Sequence, residues 1–441
     1  MTSSRLAGRT GRAAAPAQAV LAASWQAHVV DAGVVHDELN RLWDQLEAGQ
    51  DRAEDVEGAD GAMAPEGSPA QLARDGARGT IGSDRMRANT LNLIAVAHSA
   101  SEAKRIESAV VHLGELYPSR AIVLVADPDR VSGEDPGLDV RVGLLEQPAE
   151  KGRPVVRFEC ITIEADSLSA NHLANLASPL LVAELPDFLW WPGDSPSASP
   201  LFHDLTEIAD RLIVDTAALS EPGRDLRTLA SLMTGRSCPM VSDFAWARLM
   251  PWRQLVAQFF DAPASRPCLD CIDDVQIVYA PRNRAGASGL TAALLTAGWL
   301  STRLGWMATS GLERTRTGYR LPLRTVSRRN RPGRDVTIQL RSVSNPAFDR
   351  GLGLISFRAV GDAPGTFTVE RVNDAGLATT SETPNMPPVS RMVYAEQPDD
   401  PNLLGPELHA FGRDRVFEES LTFVASLLSR DVTETGGETP A

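Results

Sequence analysis

The sequence predicts an α/β fold, an N-terminal layered α/β domain on a largely parallel sheet, followed by an α+β domain with an antiparallel sheet. Three observations predict it. Apolar runs of strand length alternate with helical stretches from residue 89 to residue 260. After residue 317 the pattern changes to short strands divided by glycine-containing turns. A chain of 441 residues is too long for one ordinary core, and its 43% apolar content can build more than one. The expected division is an N-terminal helix and disordered linker over 1–84, the α/β domain over 85–266, the α+β domain over 267–430 and a disordered tail over 431–441.

Residues 31–47 carry Val34, Val35, Leu39, Leu42, Trp43 and Leu46 at near-helical spacing, which predicts an amphipathic helix that docks on something. From Gly49 to Asp84 the chain is rich in Ala, Gly, Pro and acid and has no aromatic residue, so it reads as a linker. Asn89 to Ala97 is a buried strand. Ser99 and Glu102 form a capping box that starts a helix with Ile106, Val110, Leu113 and Leu116 inward. Pro118 stops that helix, and Ala121 to Ala126 is the second strand of a right-handed βαβ unit. The intervening turn, His98-Ser99-Ala100, lacks the glycines that let a pyrophosphate approach the backbone, so dinucleotide binding there is not supported.

Further strands are expected at 155–164, 179–183 and 211–215, with helices near 168–177, 202–209, 224–234 and 243–260. Strands near 275–279, 318–326, 335–343, 352–360 and 365–372 follow, with a helix from Ser288 to Leu304 and a helical region over 402–428. The uncharged run Ala285 to Thr302 holds three glycines and five Ser or Thr, which favours a buried helix over a membrane span.

The net charge of −14 repels phosphate backbones and anionic lipid, so neither nucleic acid nor membrane is the expected partner. Only Lys104 and Lys151 are lysines. Neither follows a glycine, which excludes a Walker phosphate loop, and both are read as solvated. Four cysteines in so long a chain suit a reducing compartment, and the chain is read as cytoplasmic. Cys268 and Cys271 have the spacing of a redox pair or half a zinc site, but no second pair accompanies them. They are carried as a candidate redox pair, with two ordinary thiols as the alternative. No metal, cofactor or catalytic residue is assigned. Gly286-Ala287-Ser288-Gly289 is not a nucleophile elbow, and no carboxylates stand out as an acid and base pair.

Two aromatic clusters remain. In the run Trp190-Trp191-Pro192, adjacent indoles of a strand point to opposite faces. At least one is therefore expected in a groove, a seam between domains or a contact with a partner. In Asp243 to Phe260, Asp243 or Ser242 caps a helix that Pro251 kinks. Leu249, Trp252, Val256 and Phe259 read as core, while Arg248 is one turn from Trp252 and within reach of a cation–π contact. Trp190, Trp191, Pro192, Trp246, Arg248, Trp252 and Arg253 are the candidate partner-binding residues. Between Arg303 and Arg334 lie nine arginines opposed only by Glu313, read either as a solvated face or as a grip for an acidic surface or a phosphorylated molecule.

These segments, with Tyr117-Pro118-Ser119-Arg120, Ala209 to Asp215, Gly298-Trp299-Leu300 and Gly412-Arg413-Asp414, make the chain resemble the OpcA family over about residues 85–430. The resemblance implies a noncatalytic assembly factor and allosteric activator that binds glucose-6-phosphate dehydrogenase and promotes its active oligomer in the oxidative pentose phosphate pathway. The rival readings are an enzyme acting on a phosphorylated sugar and a nucleic-acid-binding regulator.

Overall fold

The computed structural model describes residues 19–29, 31–59, 89–127, 138–146, 156–165, 170–193, 196–235, 239–283, 288–326, 333–345, 347–384, 386–410, 412–430 and 433–434. Lys151, Cys238, the arginines of the first twelve residues and residues 60–84 of the expected linker lie outside them.

The first sheet has eight strands. At one edge β1 (Val20–Val29) pairs antiparallel with β4 (Leu138–Glu146), which pairs antiparallel with β5 (Arg157–Ala165). Then β3 (Ser119–Ala126), β2 (Leu91–Ala97), β6 (Asp187–Trp191), β7 (Arg211–Val214) and β8 (Met240–Asp243) follow in order, all parallel. The βαβ unit forms as expected, except that Leu116, read as inward, lies beyond the helix and is exposed. The 179–183 run does not become a strand: it closes a 3-10 turn at Ser178–Leu180, and the strand is the segment with the two tryptophans. β1 and β4 were not anticipated.

Helix α1 (Ala32–Ala59) buries Val35, Leu39, Leu42 and Trp43 and runs further than expected, into the segment read as linker. Trp43 fixes it to the sheet, because its indole N–H donates to Glu159 at 2.7 Å. Glu159 is fully buried and pairs with Arg120, whose Nη1 donates to the carbonyl of Leu180 at 2.8 Å. A buried charge needs such partners to be tolerated. Helix α2 (Ala100–Leu113) covers the opposite face through Ala103, Ile106, Ala109, Val110 and Leu113. Side chains of β2 alternate between the two faces: Ile94 and Val96 enter one core, Leu93, Ala95 and Ala97 the other.

Along the first core the chain adds α3 (Leu173–Ala177), α4 (Pro200–Ile208) and α5 (Pro222–Leu232). Asp243 caps α6 (Phe244–Arg248), accepting from the amide of Ala245, and Pro251 in the first turn of α7 (Met250–Phe259) accounts for the break between them. Helix α8 (Arg266–Leu269) leads to the second sheet.

That sheet has ten strands. Its centre is β9 (Ile272–Tyr279), parallel to β13 (Asp335–Ser342) and antiparallel to β14 (Leu352–Ala359). On one side follow β15 (Gly365–Asn373), β16 (Gly376–Thr383) and β17 (Met386–Tyr394), the last two unanticipated. On the other follow β12 (Gly318–Thr325), with β10 (Trp306–Ala308) and β11 (Glu313–Thr315) paired to it, and β18 (Thr433–Glu434) beside β11. The expected disordered tail thus contributes a short strand. Helix α9 (Leu290–Leu304), the uncharged run, is buried over most of its length. Against it lies α11 (Arg415–Leu428), so close at Gly298 that an added Cβ would stand 2.6 Å from the carbonyl oxygen of Ser420. Phe260 packs at a tilt against Phe367, ring centroids 4.8 Å apart, which joins the end of α7 to the second sheet. Helix α10 (Asp400–His409) returns to the first sheet and buries Leu403, Leu404 and Leu408 beside α2. No helix among the described residues is long and apolar enough to cross a membrane.

Candidate functional site

The strand order β5-β3-β2-β6-β7-β8, numbered along the chain, is 3-2-1-4-5-6. In sheets of that order ligands bind beyond the carboxyl ends of the strands, where the winding reverses, here between β2 and β6. The first turn of α2 would have to receive a pyrophosphate there. It is already occupied. Ser99 Oγ accepts from the amide of Glu102 at 3.2 Å, and the Glu102 carboxylate accepts from the amide of His98 at 2.8 Å. Burial opposes ionisation of Glu102, but the bonds from His98 and the charge of Arg105 outweigh it and hold its pKa below the usual carboxylate value. The ring of His98 stands edge-on to Trp191, centroids 5.2 Å apart, and closes on Gly193, where an added Cβ would come within 2.4 Å of the imidazole.

Trp190 and Trp191 do point to opposite faces, yet both are buried, at 0% and 1% exposure. Trp190 packs on Phe244 in one core and Trp191 on Phe202 in the other. Trp246 and Trp252 are buried as well. Trp252 is thus core, as its spacing implied, but the expectation that Trp190 or Trp191 faces a groove, a seam or a partner is corrected: a parallel sheet is covered on both faces, so opposite directions lead to two interiors. The expected contact of Arg248 with Trp252 is also replaced. Arg248 reaches Asp215 with two bonds of 2.8 Å, and it is Arg253 that lies over Trp246, 3.7 Å from the ring centroid. Trp246 in turn donates to Asp414 at 2.8 Å.

Pro192, Arg248 and Trp252 do meet in one place. They line a cleft of about 600 Å³ between the two sheets, beyond the carboxyl ends of β6, β7 and β8. The segments just after β6, β7 and β8 contribute Pro192, Asp215 and Phe244; β15 contributes Arg371, and the segments beside β14 and β17 contribute Arg350 and Glu396; α2 adds Arg105 and α10 adds Asp400. Trp190, Trp191, Trp246 and Arg253 stand outside this lining. Asp215, Arg350, Arg371 and Asp400 were missed as site residues; only Asp215, at the end of an apolar strand, carried a local signal. Burial pushes Asp243, just beneath the cleft, up to about 6, with the charge of Asp215 in the same direction; bonds from Thr216 and Ala245 oppose it. Burial works against the charge of Arg248, but Asp215 more than restores it and its pKa is raised.

Cys268 and Cys271 are both buried and both free thiols, the amide of Cys271 donating to the carbonyl of Cys268 at 2.9 Å. Burial, then the neighbouring Cys271, push the Cys268 thiol up, away from a reactive thiolate. Among the described residues no group of three or more His, Cys, Asp or Glu side chains is placed to hold a metal ion.

Proteins from three cyanobacteria, each named "Putative OxPP cycle protein OpcA", are similar to this chain. The one from Nostoc punctiforme is 28% identical over 70% of this chain and 65% of its own length. The one from Synechocystis is 26% identical over 61% and 56%, and the one from Synechococcus elongatus 27% over 63% and 61%. The chain thus spans less than two thirds of the length of these relatives. A solved 3-ketoreductase from Actinomadura kijaniata aligns with 79% of this chain and 100% of its own at a TM-score of 0.45 and 12% identity, too distant a likeness to transfer any property. A family model described as the glucose-6-phosphate dehydrogenase subunit N-terminal domain matches residues 110–231, and one described as the C-terminal domain of that subunit matches residues 239–421. With both halves matched in order, the chain belongs to the OpcA family of glucose-6-phosphate dehydrogenase assembly proteins.

Proposed function

We propose that this chain is a noncatalytic, cytoplasmic partner of glucose-6-phosphate dehydrogenase that binds the enzyme and favours its active oligomer. Family membership supports the partner. The observation that carries the noncatalytic half is the filled crossover: Glu102, His98 and Trp191 occupy the turn where a sheet of this order would take a dinucleotide. A nicotinamide cofactor bound there would have to displace a capping carboxylate and lift an imidazole from an indole.

Activation requires the partner to hold the active state more tightly than the inactive one, and a tenfold shift needs about 1.4 kcal/mol of difference. The test is to add the purified chain to the dehydrogenase of the same organism and to follow NADP reduction and co-elution together. A several-fold faster reduction with a shared elution peak is expected. Neither effect, or turnover of a sugar phosphate by the chain alone, would remove this reading and in the second case favour the enzyme.

A further inference from the structure

Two of the four arginines that line the cleft between the sheets are not paired with its carboxylates. Of its four arginines, Arg248 is closed on Asp215, and Arg105 is shared between Glu102 at 3.2 Å and Asp400 at 3.4 Å. Arg371 and Arg350 make no ion pair among the described residues. Arg371, on β15, is 7% exposed, and its Nη1 donates to the carbonyls of Asn373, Asp374 and Ala395. Its Nε is buried without an acceptor. Burial lowers its pKa; the Asp374 carboxylate offsets this in part, while the like charge of Arg350 adds to it.

Arg350 is exposed and bonded to nothing among the described residues. The adjoining Gly351 presses on the first turn of α9: an added Cβ on Gly289 would lie 2.2 Å from the Gly351 carbonyl. Ser288 and Ala292, at that helix start, line the same cleft. Arg350 and Arg371 therefore line a space whose wall also includes the first turn of a buried helix, the positive end of its dipole. Of the remaining cleft carboxylates, Glu407 lies 3.9 Å from Arg211, while Glu396 accepts from the hydroxyl of Tyr394 and keeps its charge at the cleft rim. Like charges set side by side near low-dielectric walls are favourable when an anion bridges them.

We infer that this cleft binds a small phosphomonoester, its phosphate between Arg350 and Arg371 beside the first turn of α9 and its uncharged body against Trp252 and Pro398. The cleft volume of about 600 Å³ suits a whole metabolite, where a bare ion would fill a small part. The inference does not depend on the dehydrogenase partnership, since it concerns this chain alone.

Isothermal titration of the full chain at low ionic strength with inorganic phosphate, glycerol phosphate and glycerol tests it. Saturable binding of both phosphates, the ester at least as tightly, and none of glycerol is expected. Arg350→Gln should weaken that binding about tenfold or more, with the melting temperature of the ligand-free protein unchanged because Arg350 is exposed. Arg358→Gln, on the open face of the second sheet and paired with Asp273, should leave it as in the natural chain. Absence of saturable binding, an unaltered affinity in Arg350→Gln, an equal loss in Arg358→Gln, or binding of glycerol would each overturn the assignment.

Discussion

Arg248 sets both terminal nitrogens on the two carboxylate oxygens of Asp215, each at 2.8 Å, and so ties the helix after β8 to the loop after β7. Asp215 also caps the turn at Thr216–Ala218, accepting from the amide of Ala217. Arg248→Ala would leave that carboxylate beside the buried Asp243. The pair is partly exposed, at 25% and 18%, so a loss of about 2 kcal/mol is expected rather than the full cost of a buried orphan charge. Urea unfolding checks it. The double variant Arg248→Gln with Asp215→Asn should cost less than the two single changes added together.

Asp243 makes stability depend on pH. Its folded pKa of about 6 stands above its ordinary value of 3.8, so the folded chain keeps a proton that the unfolded chain has released. That contribution is complete below the unfolded value and is lost as pH rises through the folded one. Asp243→Asn should gain on the natural chain by about 2 kcal/mol in unfolding free energy between pH 4 and pH 7. A difference that stays level across that range would contradict the raised pKa.

Gly193→Ala forces a methyl group against the imidazole of His98, which has Trp191 behind it. A loss of about 1–3 kcal/mol is expected from overpacking, read as a lower melting temperature. Adding His98→Ala should recover part of it. If the single variant melts like the natural chain, the imidazole is free to leave the turn and the crossover is not filled as described.

Asp414 joins two elements: it caps α11 by accepting from the amide of Phe417 and receives the indole N–H of Trp246. Asp414→Ala should cost about 2 kcal/mol, one part for the cap and one for the indole left without an acceptor. Hydrogen exchange should quicken first in α11. Exchange that quickens only near Trp246 would assign the loss to the indole bond alone.

Local patterns carried much of this fold. The Ser99 and Glu102 pair, the apolar runs of β2 and β3, and Pro251 each act within a few residues, and each was legible. What escaped was non-local. β1 finds its pairing partner in β4, more than a hundred residues later, and nothing near Val20 announces it. The two tryptophans show a sound local rule meeting a global fact: alternation was right, but helices cover both faces of their sheet. In the cleft, Pro192, Arg248 and Trp252 could be picked out by composition, whereas Arg371 lies in an ordinary alternating strand, and only the fold sets it beside Arg350 and against Trp252.

Helix α10 closes the first sheet although it is made after all of the second except its short strand β18. Arg211, on β7, donates to the carbonyls of Ala410 and Gly412 at 2.8 and 2.9 Å, so even the backbone beyond that helix is clasped by the earlier half. During translation the first sheet must therefore wait with one flank bare until residues 400–409 have been made. A stop near residue 399 would remove α10 and α11 together and so strip cover from both halves at once.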